Sequence, residues 1–204
     1  MERREIERKI ETIADAAFER LLKVYESKTE GGIIFPKYTH GQDKGNLRIS
    51  EQEMRFAFVE EMRRECPDWY YSVETPTDKK YLFKSEPCII PEEEEGGQSA
   101  QFDLTIYEDS KGDKVLAHIE FKAKNPDIHE MKKDFLKLSE DTTDPNTARV
   151  FIHLLKSCAD GTVKNLRDEK LKDCKKENVK YLCYSLKEHT VTDPSQEDKH
   201  KIKF

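Results

Sequence analysis

The chain has 204 residues, of which 38% are charged and 35% hydrophobic, and its formal net charge is -6 at pH 7. This length suits one domain of ordinary size with terminal additions, and the low mean hydropathy of -0.89 indicates apolar residues concentrated in a few elements. No apolar run approaches the roughly 20 residues of a membrane span, and the charged first residues lack the apolar region of a signal peptide. We therefore expect a cytoplasmic protein that does not enter a membrane.

The net negative charge argues against a protein that coats nucleic acid through bulk electrostatics, so any contact with nucleic acid must be local. The five cysteines are odd in number and scattered, and none of them forms a C-x-x-C pair. Neither a disulfide framework nor a zinc site is predicted, and the cysteines are expected to be reduced thiols.

Two helices open the chain. Residues 2–27 carry apolar residues at helical spacing, which predicts an amphipathic helix. Ser50 and Glu53 form a capping-box signature ahead of a second apolar stripe, so a second helix is predicted to begin after Ser50 and to end near Pro67. We assign residues 1–46 to an N-terminal helix and loop packed on the core.

Strands and helices then alternate. The sequence predicts strands at residues 69–77, 81–84, 88–90, 100–107, 114–123, 148–155 and 179–186, with further helices at 127–140 and 162–177. Turn-forming residues separate the strands at 100–107 and 114–123, which are predicted to pair as a hairpin. Residues 47–190 are thus predicted to form a mixed α/β domain, and residues 191–204 a polar C-terminal tail.

Polar side chains line one face of this hairpin. Because side chains alternate along a strand, His118, Glu120 and Lys122 share one face, opposite an apolar face. In the preceding strand, Asp103 faces away from Phe102 and Leu104, which are predicted to share the apolar face. Pairing of the two strands can bring Asp103 beside Glu120 and Lys122, so we expect two carboxylates and an ammonium group to converge.

Carboxylate oxygens are the ligands that Mg²⁺ prefers, and Mg²⁺ also retains water and takes phosphate oxygens. Asp103 and Glu120 are therefore predicted to hold Mg²⁺, for which Mn²⁺ can substitute. Such an ion stabilises negative charge on phosphorus and lowers the pKa of a bound water. Lys122 could orient or help to deprotonate that water and offset phosphate charge. The pattern predicts hydrolysis of phosphodiester bonds.

The motif Phe102-Asp103, sixteen intervening residues and Glu120-Phe121-Lys122 resembles the PD-(D/E)XK nuclease superfamily. The predicted order of elements is similar to the αβββαβ core of that superfamily. The resemblance therefore implies an α/β fold with a restriction-endonuclease-like mixed β-sheet flanked by helices, here with an extra N-terminal helix. It covers about Leu47 to Leu186. Phe102 replaces the proline that precedes the aspartate in the family, which leaves the ligands untouched.

Members of this superfamily often place a glutamate in the helix before the hairpin, and both Glu51 and Glu53 are available. Glu51 lies on the stripe of Met54 and Phe58 and points toward the apolar face. Glu53 instead occupies the reciprocal capping position behind Ser50. We assign the catalytic-site role to Glu51 and keep Glu53 as the alternative.

Other polar residues lie near the motif. His118 is predicted to be a partly buried neighbour rather than a ligand, because Mg²⁺ favours oxygen over imidazole. Lys132, Lys133 and Lys137 are predicted to line a solvated helix face. Lys124 sits beside the expected metal site, and a contact with the phosphate of a bound nucleic acid is plausible there.

Two functions remain open from the sequence. The resemblance implies a metal-dependent nuclease acting on DNA, in a restriction or mobile-element defence system, and the presence of Asp103, Glu120 and Lys122 favours it. The acidic balance instead favours a catalytically silent nuclease-fold binding or assembly module. The expected partners are nucleic acid, DNA above all, and a second copy or another protein that supplies binding surface. The sequence does not decide whether the substrate is DNA or RNA, or whether cleavage is endo- or exonucleolytic.

Overall fold

The computed structural model describes residues 1–27, 32–82, 97–141, 144–158, 160–172, 178–194 and 202–203. Within these ranges the helices are α1 (Arg3–Tyr25), α2 (Glu51–Glu65), α3 (Ile128–Glu140) and α4 (Asp160–Asn165), and a π-helical turn (Leu166–Lys170) continues α4. The strands are β1 (Tyr70–Tyr81), β2 (Gln98–Tyr107), β3 (Val115–Ala123), β4 (Ala148–Leu155), β5 (Lys180–Ser185), β6 (Thr190–Thr192) and β7 (Ile202–Lys203).

The seven strands form one sheet in the order in which they occur along the chain. β1, β2 and β3 pair antiparallel, β3, β4 and β5 pair parallel, and β6 and β7 return to antiparallel pairing. The two parallel connections each need a crossover, which α3 supplies between β3 and β4 and α4 supplies between β4 and β5. The predicted mixed α/β fold and the antiparallel hairpin that carries Asp103 and Glu120 are confirmed.

Helices cover both faces of the sheet. One face packs against α1 and α2, where a large apolar cluster includes Phe18, Phe58, Ile119 and Phe121. The other face packs against α3, α4 and the π-helical turn, in a smaller cluster centred on Phe135 and its neighbours. β3 and β4 are therefore buried from both sides, as parallel strands covered by helices usually are.

The capping box at the start of α2 is present as the sequence predicts. The backbone N–H of Ser50 donates to Oε2 of Glu53 at 2.9 Å, and the Ser50 side chain caps the helix in return. This contact fixes the first turn of α2 and therefore the position of Glu51, its first helical residue.

One feature of β2 departs from the expected alternation. Phe102 belongs to the apolar cluster on the α3 side and stacks on His118 with ring centroids 4.1 Å apart, whereas Leu104 lies in the cluster on the α1 and α2 side. The expectation that Phe102 shares a face with Leu104 is wrong. The regular pairing of β2 with β3 ends at Leu104. On β1, Glu74 lies opposite Asp103, between the residues that pair with Leu104 and Phe102, and its φ is +51°. The strand is therefore irregular around Asp103.

The C-terminal part adds strand pairing that the sequence pattern does not indicate. β6 and β7 pair with each other and β6 pairs with β5, within the segment assigned to a polar tail at 191–204. The predicted strand at 88–90 lies outside the described residues, as do parts of the predicted elements at 81–84 and 162–177. In the part of the chain that the structure describes, no helix is long and apolar enough to cross a membrane.

Candidate functional site

The α3 face of β3 carries the predicted polar set. Glu120 is 2% exposed on this face, while its neighbours Ile119 and Phe121 are fully buried on the opposite face. The parallel pairing of β3 with β4 places Glu120 beside Phe151 and Lys122 beside His153. Strand alternation therefore delivers the two motif residues to the side of the sheet that α3 covers.

Lys137 of α3 is the ion-pair partner of Glu120. Its Nζ lies 2.6 Å from Oε1 of Glu120, 2.9 Å from Oδ1 of Asp134 and 2.9 Å from the carbonyl oxygen of Gln101. The Lys137 side chain is only 5% exposed. The expectation of a solvated lysine at this position is wrong, because a buried Glu120 requires a compensating cation from the helix above it.

A second ion pair holds Lys122. Its Nζ lies 2.9 Å from Oδ2 of Asp134, and the Lys122 side chain keeps 20% of its surface exposed. Asp134 therefore joins Lys122 and Lys137, one on each carboxylate oxygen. The residues Glu120, Lys122, Asp134 and Lys137 form a continuous charge cluster, to which we refer below as the β3–α3 cluster.

Asp103 reaches the edge of this cluster from β2. Its Oδ2 accepts the backbone N–H of Phe121 at 2.8 Å, and its Oδ1 lies 3.8 Å from Nη1 of Arg55 on α2. The side chain is 25% exposed. The carboxylate thus satisfies a β3 N–H just beyond the end of the β2–β3 ladder, which anchors it next to Glu120 while leaving part of it open to solvent.

Glu51 approaches from the first turn of α2, as the sequence assignment proposes. Burial raises the pKa of this half-buried carboxyl group, Asp103 and Asp134 raise it further, and Lys122 and Arg55 oppose the rise. These influences show that Glu51 lies within electrostatic reach of the cluster. Glu53 is occupied by the capping box and by Arg48, whose Nη2 is 3.7 Å away.

The ionisation of the β3–α3 cluster follows from its burial. Burial raises the pKa of Glu120 well above its usual range, and Asp134 and Asp103 add to this against the attraction of Lys137. Burial favours the neutral amine of Lys122, but Asp134, Glu51 and Glu120 together raise the Lys122 pKa above its ordinary value. Lys122 is therefore a cation at neutral pH, suited to orienting a water or neutralising phosphate and unsuited to accepting a proton.

Lys124 lies just beyond the motif, at the end of β3. Its φ is +62°, and its Nζ donates to the hydroxyl oxygen of Tyr38 at 2.5 Å and lies 5.2 Å from the centre of that ring. The buried ring of His153 holds the Lys124 carbonyl at 2.7 Å through Nε2. The side chain is exposed, and its contact with phosphate stays a prediction.

His118 is buried on the α3 face, close to the motif. Its Nδ1 lies 3.0 Å from the hydroxyl of Thr105, and its ring stacks on Phe102. Burial lowers the pKa of His118 to about 4, so the imidazole is neutral at physiological pH. Its contacts are those of a packed neighbour of the site.

Sequence reasoning missed Asp134, Lys137 and Arg55. The signal for Asp134 is its spacing, three residues after Met131 and four before Leu138, which places it on the apolar stripe of α3. A carboxylate on such a stripe is expected to face a buried cation. The sequence carries no comparable signal for Lys137, because its burial depends on where along β3 the helix α3 packs.

The donor chemistry at this edge suits a hard divalent cation, since Asp103 and Glu120 offer carboxylate oxygens. Among the described residues, no three side chains of the types His, Cys, Asp and Glu are grouped so that they could hold a metal ion by themselves. A metal ion here would rely on two carboxylates, with water and substrate oxygens completing its shell, which is the usual situation for Mg²⁺.

Comparisons with known proteins leave the family open. No protein-family model matches the chain, and no solved structure matches it. One curated protein, Jacalin-related lectin 5 of Arabidopsis thaliana, is 30% identical over 79 residues. That segment is 39% of this chain but 11% of the lectin, so the chain spans about a tenth of the length of that relative.

Proposed function

We propose that the protein is a metal-dependent nuclease that hydrolyses phosphodiester bonds in DNA. The observation that carries the proposal is the meeting of three elements. Asp103 of β2 accepts the N–H of the residue between Glu120 and Lys122 on β3, and Arg55 of α2, the helix that begins with Glu51, lies beside Asp103. Charged groups brought together in a largely buried setting are costly for folding, and such clusters concentrate at functional sites.

The order and pairing of the elements support the same proposal. From α2 to β4 the chain runs helix, three antiparallel strands, helix and parallel strand, which is the αβββαβ order of the restriction-endonuclease-like fold. The candidate carboxylates lie on the second and third of these strands. We infer a restriction-endonuclease-like domain at residues 47–190 from this order together with the motif.

Each residue of the site has a role in the proposed reaction. Asp103 and Glu120 would hold Mg²⁺, which when bound supplies positive charge at the phosphate and a more acidic water. Lys122 stays protonated and can hold the attacking water or a phosphate oxygen through its N–H groups. Glu51, with its raised pKa and partial exposure, is the group best suited to accept a proton from that water.

A second candidate function is a catalytically silent binding or assembly module. The pairing of the buried Glu120 with Lys137 favours it, because an internal cation occupies the carboxylate that the nuclease proposal gives to a metal. The net charge of -6 is a further argument, since it opposes contact with a nucleic acid backbone. Under this function Glu120 and Lys137 are structural only.

A cleavage assay separates the two functions. Purified protein is incubated with plasmid, linear duplex, single-stranded DNA and RNA, each with Mg²⁺, Mn²⁺ or EDTA. The nuclease proposal expects cleavage of DNA that needs a divalent ion. The module is preferred if none of the four substrates is cut with either metal and calorimetry detects no divalent-ion binding with nucleic acid present.

Variants then assign the chemistry. Lys122→Ala should lower the cleavage rate by about 10²-fold or more while some Mg²⁺ binding remains, because the carboxylates stay in place. Asp103→Asn should lose both cleavage and Mg²⁺ binding. Its melting temperature should be nearly unchanged, since the amide oxygen can still accept the N–H of Phe121. Lys187→Ala, which removes an exposed lysine beyond the end of β5, is the matched control and should cut like the wild type.

A further inference from the structure

An open pocket lies at the end of the β1–β2 hairpin where β1 begins and β2 ends. Its volume is about 550 Å³, and it lies between the end of α2, the start of β1 and the β2–β3 turn. Four aromatic residues and two cations line its wall together with small polar residues: Trp69, Tyr70, Tyr71, Tyr107, Arg63 and Lys111.

Two aromatic side chains of this pocket contribute little to the core, whereas Trp69 packs against the apolar cluster on the α1–α2 side. Tyr70 is 47% exposed and Tyr71 is 41% exposed, and neither belongs to the two apolar clusters. Tyr107 is held in place from the side, because its hydroxyl lies 3.0 Å from that of Ser72. The exposed rings of Tyr70 and Tyr71 are suited to stacking on a planar ligand, whereas the Trp69 ring has Nζ of Lys9 5.9 Å from its centre.

The charges around the pocket are uneven. Arg63 and Lys111 are both exposed, and no carboxylate is among the described residues that line the pocket. The nearby Asp109 accepts the backbone N–H of Lys111 at 2.8 Å and that of Lys114 at 2.9 Å. Glu108 is paired with the side chain of Lys114. Exposed Asp113 of the same turn and exposed Asp68 lie outside the lining, so the positive charge of the pocket is confined to Arg63 and Lys111.

We propose that this pocket binds an unpaired nucleotide of a single-stranded nucleic acid. The base would stack on the aromatic wall, and Arg63 and Lys111 would contact the adjacent phosphates. A neutral sugar could also stack on tyrosine and tryptophan rings, but the two cations without a lining carboxylate favour an anionic ligand.

The position of the pocket gives it a role in the proposed reaction, and in this respect the inference rests on the proposed function. Asp103 and Tyr107 are four residues apart on β2, which separates them by about 13 Å along the strand. That length corresponds to two or three nucleotides of extended single strand. The buried residues Leu104, Thr105 and Ile106 separate the two sites along β2, so a strand that reaches both would cross the surface beside them, and the favoured substrate would be a single-stranded end or flap.

Binding is measured without metal, so that cleavage cannot interfere. The chain contains one tryptophan, Trp69, and its fluorescence reports directly on the pocket. In EDTA, a twelve-residue oligothymidylate should quench Trp69 emission saturably, and a twelve-residue oligouridylate tests RNA in the same way. A blunt duplex of equal length should bind at least tenfold more weakly, because its bases are not free to stack.

Substitutions on the exposed wall test the stacking and the charge separately. Tyr71→Ala should weaken oligothymidylate binding about tenfold, while Tyr71→Phe keeps the ring and should bind like the wild type. Replacing both Arg63 and Lys111 by alanine should weaken binding and reduce the salt dependence by about 1.4 in the slope of log K against log salt. Lys187→Ala, far from the pocket, should change neither quantity.

The outcomes separate this inference from the nuclease proposal. Quenching that depends on Tyr71, in a protein that cuts no substrate with Mg²⁺, supports the pocket and overturns the nuclease. Cleavage of single-stranded DNA with a KM that Tyr71→Ala leaves unchanged overturns the pocket and keeps the nuclease. Quenching by an uncharged heptasaccharide but not by either oligonucleotide would mean a sugar site and overturn the inference.

Discussion

Helices cover both faces of β3, but the two faces are stabilised in different ways. Toward α1 and α2, Ala117, Ile119 and Phe121 are fully buried among apolar neighbours, with Phe121 edge-on to Phe58 at 5.7 Å between ring centres. Toward α3, the same strand presents Glu120 and Lys122, which are balanced by charges on the helix. A single strand thus carries an apolar core on one side and an ionic network on the other.

The difference shows where the protein tolerates a cost in stability. Burying apolar side chains stabilises the fold by about 25 cal/mol per Å² of surface removed from water. A buried ion pair of the same size often contributes nothing net, because desolvation offsets the attraction between the charges. On its α1–α2 face β3 therefore stabilises the fold through apolar burial, whereas the charge cluster on its α3 face is expected to add little net stability.

The largest effect is expected where the ionic face loses one partner. Lys137→Met should destabilise the protein by about 3–5 kcal/mol, because Glu120 is then buried without its cation. Burial raises the folded pKa of Glu120 above 4.5, so the folded state holds its proton more tightly than the unfolded state. The penalty should accordingly be largest at pH 7–8 and shrink as the pH falls toward 4.5, as urea unfolding can measure.

The double variant Lys137→Met with Glu120→Gln is the control for this prediction. It removes both charges and keeps the volume of each side chain, so most of the lost stability should return. An equal loss in the single and the double variant would mean that Lys137 acts through packing alone. The contrast between the two faces of β3 would then be wrong.

A smaller effect is expected from His118, a neutral group on the same face. Its folded pKa of about 4 is below the ordinary 6.5, so its contribution to stability is present above pH 6.5 and is lost as the pH falls toward 4. Between pH 7 and pH 5 the wild type should lose about 2 kcal/mol more than His118→Gln. Urea unfolding of both proteins at the two pH values measures this, and equal losses would contradict the burial of the neutral imidazole.

The smallest effects on stability are expected from the two glutamates of α2, which the cleavage assay should distinguish. Glu53→Ala should cost about 1 kcal/mol through loss of the capping box, with little effect on cleavage. Glu51→Gln should change stability by no more than about 0.5 kcal/mol but lower cleavage by about 10²-fold. Thermal unfolding and the cleavage assay together test the pair. A reversed pattern would assign the catalytic-site role to Glu53.

Much of the fold follows from periodicity in the sequence. The strand at 148–155 is found at its predicted bounds, and the helix at 128–140 begins one residue after the predicted start. β6 could not be predicted, because three residues of polar and β-branched type carry no period of their own and depend on pairing with β5. The predicted face of Phe102 was wrong for a similar reason. Side chains alternate between the two faces of a strand only while its pairing is regular.

The candidate site was predictable up to the limits of local geometry. Alternation along β3 correctly placed Glu120 and Lys122, and the capping rule separated Glu53 from Glu51. The partners of these residues could not be predicted from the sequence. Lys137 resembles any other lysine of a charged helix until the packing of α3 on β3 is known. Tertiary position, rather than residue type, decides whether such a lysine is solvated.

The sequence distance between the charged partners has a consequence for folding. Lys137 and Glu120 are 17 residues apart, on a strand and the helix that directly follows it. Closing so short a loop costs little chain entropy, so this pair can form as soon as β3 and α3 meet. Arg55 and Glu51 reach the same edge from far upstream and arrive only when α2 docks. The ionic half of the site is therefore expected to assemble early, and its α2 side to close last.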